Sequence, residues 1–207
     1  MSFDVQQIKA GVSHLRKADV DLRQAIDRVG PFSLRLQSGG FATLLRSIVS
    51  QQISTAAARA IRKRLEALLA PGRPTPKKVS RLSEEQLRSV GLSAQKIRYV
   101  KDLAKKSLNG EVQYRSFRFM TDDQIIEQLV GVRGIGRWTA QMLLIFCLGR
   151  LNVFPYEDLG IRKGIQKIYA FDELPDKSTC LQVSAPWHPY CSVASWYCWR
   201  SLDLQGG

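Results

Sequence analysis

The chain has 207 residues, of which 44% are hydrophobic and 24% are charged, a balance typical of a folded globular protein rather than a disordered one. Its 31 Lys and Arg residues outnumber its 18 Asp and Glu residues, which gives a formal net charge of +13. Because each neutralised phosphate releases condensed counterions, this excess favours nucleic acid as the partner. An anionic membrane is the second possibility and a merely well-solvated basic surface the third. The longest apolar run, 142–148, is far short of the roughly 20 residues that a membrane-spanning helix needs.

Helical periodicity dominates the chain, and no strand pattern of any length is visible, so the sequence predicts an all-α fold. Gly30-Pro31 breaks the pattern, and the loop through Ser38-Gly39-Gly40 is a natural crossing between domains. Ser54, Ser83 and Thr121 are predicted N-caps. The predicted helices span, approximately, residues 5–16, 19–29, 41–49, 55–69, 84–90, 94–108, 122–130, 137–148, 159–170 and 189–202.

The segment 129–140 carries the most specific motif, in which two predicted helices are joined by a tight turn containing Gly134 and Gly136. Both glycines permit a positive φ and the close approach of another backbone. The N-terminus of the second helix offers free N–H groups to an anion such as a phosphate, and Arg133 and Arg137 add positive charge.

A plain helical corner with glycine caps would explain the glycines alone. Here the apolar Ile135 lies between them, a helix lies on each side, and Thr139-Ala140 follows. This combination favours a hairpin that binds the DNA backbone and recognises its shape rather than its sequence.

The chain resembles the helix-hairpin-helix DNA glycosylase superfamily, and within it the alkylbase glycosylases of the 3-methyladenine DNA glycosylase II type. The resemblance covers about residues 40 to 203. It rests on ordered motifs at 48–54, 91–96, the hairpin 129–140, 153–161 and 187–200. It implies two helical lobes without an iron–sulfur cluster, one formed by 1–38 plus 150–207 and the other by 39–149. Double-stranded DNA would lie across the cleft with a damaged nucleotide flipped out.

Asp158 matches the family's catalytic aspartate. Alone, an aspartate before a helix is typical of an N-cap. Breaking an N-glycosidic bond leaves positive charge on the sugar, and a carboxylate beneath the sugar stabilises that charge and can orient or deprotonate water. Glu157 is the alternative candidate.

The family implies further roles for aromatic residues and cysteines. Relatives that cleave the strand carry a lysine where this chain has Trp138, and an indole cannot form a Schiff base, so the enzyme is predicted to be monofunctional. Trp138 and Trp199 occupy the family's base-pocket positions, where aromatic rings hold electron-poor alkylated bases. Other aromatic residues lie nearby in sequence, and some of them must instead be core: Trp187, Tyr190, Trp196 and Tyr197 are the candidates for either role. Cys180, Cys191 and Cys198 lack the number and spacing for an iron–sulfur cluster, so none is predicted.

In the family, the segment holding Gln51 and Gln52 enters the minor groove and fills the gap left by the flipped base. Either residue could be that wedge, and a polar helix end is the alternative interpretation. In the family, carbonyl groups of the hairpin often bind Na⁺ or K⁺. By position, these are the carbonyls of Val130, Val132 and Ile135. Cys191 departs from the family, whose members commonly have an arginine there.

The sequence therefore predicts a monofunctional DNA glycosylase that removes alkylated purines such as 3-methyladenine and 7-methylguanine in base excision repair. It needs no cofactor and acts as a monomer. A non-catalytic lesion-binding protein of the same fold and a glycosylase for another lesion are the alternatives. The N-terminal residues do not resemble a secretory signal. The expected location is the cytoplasmic nucleoid of a bacterium or the nucleus of a eukaryote.

Overall fold

The computed structural model describes residues 3–204, and within that range every regular element is a helix, so the predicted all-α fold is confirmed. The α-helices in this range are α1 (Val5–Ala18), α2 (Val20–Val29), α3 (Gly40–Ser50), α4 (Thr55–Leu68), α5 (Pro76–Arg81), α6 (Glu84–Ser89), α7 (Ala94–Leu108), α8 (Asp122–Val130), α9 (Arg137–Leu143), α10 (Leu159–Ile168), α11 (Lys177–Ser184) and α12 (Cys191–Asp203). None of these helices is long and apolar enough to cross a membrane.

The chain divides into two compact units. The first consists of Met1–Leu36 and Leu144–Gly207, and the second of Gln37–Leu143. The sequence predicted the second crossing at 149/150, after the end of one long helix. The crossing instead falls where α9 gives way to a π-helical segment, Leu144–Leu148, whose wider turns a continuous apolar run does not reveal.

The core of the first unit is built around α12, which packs against α2 and α10. Its buried side chains include Val193, Ala194 and Tyr197. Asp19, the N-cap of α2, is also buried, and it accepts hydrogen bonds from the indole of Trp187 at 2.9 Å and from the hydroxyl of Tyr169. These donors compensate the carboxylate for the water it has lost.

In the second unit α3 is the central helix and packs against α4, α7 and α9. The predicted N-caps are confirmed, since Ser54 caps α4 and both capping boxes form, at Ser83 with Gln86 and at Thr121 with Gln124. These caps satisfy the first backbone N–H groups of their helices, and this fixes where α4, α6 and α8 begin.

Two helices, α5 and α11, were not predicted from the sequence. In α5 only Val79 is buried, and in α11 only Cys180 and Ser184 are buried, so neither has an apolar stripe long enough to be recognised. Each has a side-chain cap instead, Thr75 for α5 and Asp176 for α11. The helices that were predicted begin and end within a few residues of the predicted bounds, the usual uncertainty at helix ends.

Candidate functional site

The hairpin is the turn 131–136 between α8 and α9. The N–H of Val132 donates to the carbonyl of Leu129 and the N–H of Ile135 to the carbonyl of Val132, both at 3.0 Å. The side chains of Val132 and Ile135 are buried and hold the turn from inside. Because Ile135 is buried, only its backbone remains for the DNA contact predicted there.

The two hairpin glycines differ from each other in backbone conformation and in surroundings. Gly134 has a φ of 81°, and a Cβ placed on it would lie 2.2 Å from the Tyr99 ring. Gly136 does not adopt a positive φ, and a Cβ placed on it would meet nothing within 4 Å. Gly136 does not use its freedom to adopt a positive φ, because α9 begins directly after this residue, whose carbonyl already accepts the N–H of Ala140 at 3.1 Å.

The hairpin arginines lie at the surface. Arg133 and Arg137 are both exposed, and Arg137 pairs only loosely with the exposed Asp123, at 3.8 Å. Such a surface pair contributes little free energy and leaves the guanidinium available to a phosphate. Thr139, in contrast, is only 5% exposed, so the DNA contact predicted at this residue falls to its backbone N–H in the first turn of α9. The inward-facing side of α9 carries this residue into the core.

Gln51 and Gln52 lie in the short loop between α3 and α4, and their side chains differ in setting. Gln51 is partly buried, and its Nε2 donates to the carbonyl of Gly134 at 2.8 Å. Gln52 is exposed and has a φ of 54°, which is rare for a residue with a side chain. The loop borders a cavity of about 560 Å³ that the first turn of α7 and the hairpin also line.

No group of three or more Cys, His, Asp or Glu side chains within residues 3–204 could hold a metal ion. The hairpin carbonyls are a separate possibility. Val130 is the last residue of α8, so its carbonyl lies beyond the reach of the helix's own hydrogen-bond ladder. The carbonyl of Val132 accepts one N–H and has a second lone pair. Both therefore fit a monovalent cation, which stays a prediction.

In the first unit, Asp158 is the N-cap of α10, as the sequence predicted for its local role. It is partly buried, and its Oδ1 accepts the N–H of Ile161 and the indole N–H of Trp199, each at 2.9 Å. Two donors from different helices thus fix the orientation of the carboxylate. The neighbouring Glu157 is exposed and accepts a hydrogen bond from the hydroxyl of Tyr156 at 3.3 Å.

Gly160 and Gly164 position this carboxylate, and the sequence analysis gave neither of them a role. A Cβ on Gly160 would lie 2.9 Å from both Oδ1 of Asp158 and Cδ1 of Trp199. A Cβ on Gly164 would lie 2.5 Å from the carbonyl oxygen of Cys198. These glycines lie four residues apart on one face of α10 and let α12 approach its backbone. Two glycines at that spacing inside a predicted helix were the available signal.

The aromatic residues separate into two groups. Trp138, in the second unit, is 41% exposed, and Trp199, in the first, is partly exposed with its ring 5.5 Å from that of Phe146. Both are therefore accessible, as predicted pocket residues must be. Three other predicted aromatics are core residues of the first unit, namely Trp187, Trp196 and Tyr197.

The cysteines of the described chain are buried free thiols. Burial raises the pKa of the Cys191 thiol to about 12. Cys191 is completely enclosed in the core of the first unit, at the first turn of α12. A neutral thiol fills this site without the desolvation cost that a charged side chain would bring to the same surroundings.

The described chain thus combines a glycine-rich hairpin with a helix-capping aspartate that an indole binds. The chain belongs to the HhH-GPD superfamily of base excision DNA repair proteins, whose family model matches residues 45–189.

Among its relatives, DNA-3-methyladenine glycosylase 1 of Schizosaccharomyces pombe is 31% identical over 99% of this chain and 95% of its own length. The solved structure of the 3-methyladenine DNA glycosylase of the same yeast, in complex with abasic DNA, matches with a TM-score of 0.85 over 94% of this chain and 97% of that one. A DNA-3-methyladenine glycosidase from Bacillus halodurans is 34% identical, with a TM-score of 0.85 over 91% of this chain and 87% of that one.

Proposed function

We propose that this protein is a monofunctional DNA glycosylase that hydrolyses the N-glycosidic bond of alkylated purines, such as 3-methyladenine and 7-methylguanine, and leaves an abasic site in base excision repair. The observation that carries the proposal is the doubly bound carboxylate of Asp158. Its support is the similarity to relatives named DNA-3-methyladenine glycosylase, one of them solved with abasic DNA.

The geometry at Asp158 suits this chemistry. Departure of the base leaves an oxocarbenium-like sugar, which a fixed negative charge stabilises without having to reorganise during the reaction. The N–H groups of Ile161 and Trp199 both bind Oδ1 and supply that fixation. The same carboxylate can orient or deprotonate the attacking water.

The leaving group explains why aromatic side chains are enough to hold the base. Alkylated purines are electron-poor, often cationic, and already have a weakened glycosidic bond, so stacking and cation–π attraction bind them with few hydrogen bonds. Trp138 and Trp199 are the proposed stacking residues, which implies a broad substrate range. Because Trp138 offers no amine, hydrolysis ends at the abasic site and the strand stays intact.

The test is Asp158→Asn, with Glu157→Gln as the matched control. Asparagine caps a helix as well as aspartate does, so the fold is kept while the charge is lost. We expect Asp158→Asn to release no base from methylated duplex DNA, as followed by chromatography, and to bind abasic duplex as the unmodified protein does. Glu157→Gln should release bases at the normal rate. Normal excision by Asp158→Asn would contradict the proposal. So would the absence of base release by both the unmodified protein and Glu157→Gln.

Several finer features belong to the same proposal. The protein acts as a monomer without a required cofactor, on double-stranded DNA in the bacterial nucleoid or the eukaryotic nucleus. The carbonyls of Val130, Val132 and Ile135 would hold Na⁺ or K⁺. The bound ion would add positive charge where the hairpin meets a DNA phosphate.

A further inference from the structure

Within the second unit, one side chain joins the loop 51–53 to the hairpin. The amide Nε2 of Gln51 donates to the carbonyl of Gly134, 83 residues away in sequence, at 2.8 Å. Both groups are partly buried, so the bond is shielded from competing water. Gln51 is also the C-cap of α3, and its backbone is therefore held by that helix while its side chain reaches the hairpin.

The loop needs such an anchor because its tip is strained. Gln52 has a φ of 54°, a conformation that costs a residue with a side chain about 1 kcal/mol or more and persists only where the surroundings impose it. The Nζ of Lys96 donates to the carbonyl of Val49 at 2.7 Å and closes the last turn of α3 before the loop, and Ser54 caps α4 directly after the loop. The exposed Gln52 and Ile53 are thus presented from a backbone that is fixed at both ends.

The acceptor of the Gln51 bond is itself immobilised. The Tyr99 ring lies against Gly134 so closely that a Cβ there would be 2.2 Å from the ring. The amide of Gln95 donates to the hydroxyl of Tyr99 at 2.5 Å and fixes this ring. Gln51 therefore connects two rigid structures, the hairpin and the loop, through a single hydrogen bond.

We infer that Gln51 is a positioning residue that sets the distance between the hairpin and the tip of the loop. Binding of the DNA backbone by the hairpin is thereby coupled to insertion of Gln52 beside the flipped base. The inference rests on the proposed function, because it concerns the step that holds a base outside the helix. It also assigns different roles to the two glutamines, since the amide of Gln51 is turned towards the protein and the side chain of Gln52 is exposed at the tip.

The chemistry of the bond dictates the variants. The Gly134 carbonyl only accepts, so residue 51 must donate. Gln51→Met keeps the length of the side chain and removes the donor, and Gln51→Glu keeps the shape and replaces the donor by an acceptor. The matched control is Gln128→Met, which removes another amide that tethers a loop of the same unit, through the N–H of Gln113 at 3.0 Å.

The experiment uses a duplex with a tetrahydrofuran abasic analogue and 2-aminopurine as the opposite base, so that insertion of the loop is read from fluorescence without any catalysis. We expect Gln51→Met and Gln51→Glu to bind this duplex and undamaged DNA as the unmodified protein does, but to lose most of the fluorescence change. Single-turnover base release from methylated DNA should fall about 10- to 100-fold, the effect of a misplacement of about 1 Å. Gln128→Met should match the unmodified protein in every one of these measurements.

An unchanged fluorescence response in both Gln51 variants would overturn the inference. A weakened affinity of these variants for undamaged DNA would also overturn it, because Gln51 would then be a direct DNA contact. The third contrary outcome is a fall in melting temperature, with Gln128→Met losing as much fluorescence response and base release as the Gln51 variants. Failure of the proposed function gives a different result. In that case the unmodified protein would release no base, while the fluorescence response would still distinguish the Gln51 variants from it.

Discussion

Trp199 combines a proposed role, stacking against the base, with an observed hydrogen bond to Asp158. The family resemblance predicts a ring that stacks against the damaged base, and the partly exposed indole is compatible with that role. The structure adds a hydrogen bond from its Nε1 to Oδ1 of Asp158 at 2.9 Å. One side chain can therefore hold the base by its face and orient the carboxylate by its edge.

Trp199→Phe separates these roles, because phenylalanine keeps an aromatic face and lacks the N–H. A hydrogen bond to a charged group is worth about 1.5–3 kcal/mol, so we expect single-turnover base release to slow by roughly 10- to 100-fold. Trp196→Phe is the control on the same helix, and it should lower the melting temperature and leave the rate unchanged. A normal rate for Trp199→Phe would show that the bond to Asp158 does not contribute to the reaction.

Among elements, the hairpin shows what sequence can and cannot predict. The capping boxes at Ser83 and Thr121 were predicted because a cap depends on side chains three residues apart. The conformation of Gly136 was not, because it depends on where α9 begins in three dimensions. The burial of Thr139 was missed for a similar reason, since the face that α9 turns inward is set by packing with α8 and α3.

The two hairpin glycines give a matched test at this scale. Gly134→Ala puts a Cβ on a residue with positive φ and into the Tyr99 ring, so we expect a loss of about 2 kcal/mol or more in the free energy of unfolding. Gly136→Ala meets nothing in the free protein and should fold with unchanged stability. Its affinity for duplex DNA should nevertheless fall, because the added methyl group would stand where the phosphate backbone approaches. Normal binding by Gly136→Ala would exclude a close approach of DNA at this glycine.

For the whole molecule, the excess positive charge is concentrated in one unit. The hairpin unit, residues 37–143, holds 19 Lys and Arg against 8 Asp and Glu, a net charge of +11, while the remainder of the chain holds 12 against 10, a net charge of +2. The electrostatic attraction for DNA therefore resides mainly in the unit that carries the hairpin, and Asp158, the proposed catalytic residue, lies in the nearly neutral one.

This asymmetry predicts which cations determine the salt dependence of DNA binding. Each phosphate contact contributes about −0.9 to the slope of log K against log salt, so replacing Arg133 and Arg137 by glutamine should flatten the slope by about 1 to 2. The control replaces the exposed Lys17 and Arg23 of the first unit and should leave the slope unchanged. Titrations of undamaged duplex by fluorescence anisotropy at several salt concentrations measure this slope for the unmodified protein and for both variants. Equal slopes for all three proteins would argue against a phosphate grip at the hairpin.

The class of fold and the identity of the candidate carboxylate could be predicted from sequence, because helical periodicity and ordered motifs are properties of the chain itself. The crossing at Leu144 and the helices α5 and α11 could not, since they depend on a π-helical segment and on short, weakly apolar stretches. The hydrogen bond between Gln51 and Gly134 was equally hidden, because its partners are distant in sequence and neither residue type signals the other.

The glycines of α10 have a consequence for how this protein can change over evolutionary time. Because the backbone of α12 rests on α10 at Gly164 and the indole of Trp199 rests on α10 at Gly160, the placement of α12 there depends on two residues that have no side chain. Apolar residues elsewhere in this core can therefore drift between similar sizes without moving Trp199 away from Asp158. Sequence divergence in the first unit is thus decoupled from the geometry of its carboxylate, as long as the two glycines are retained.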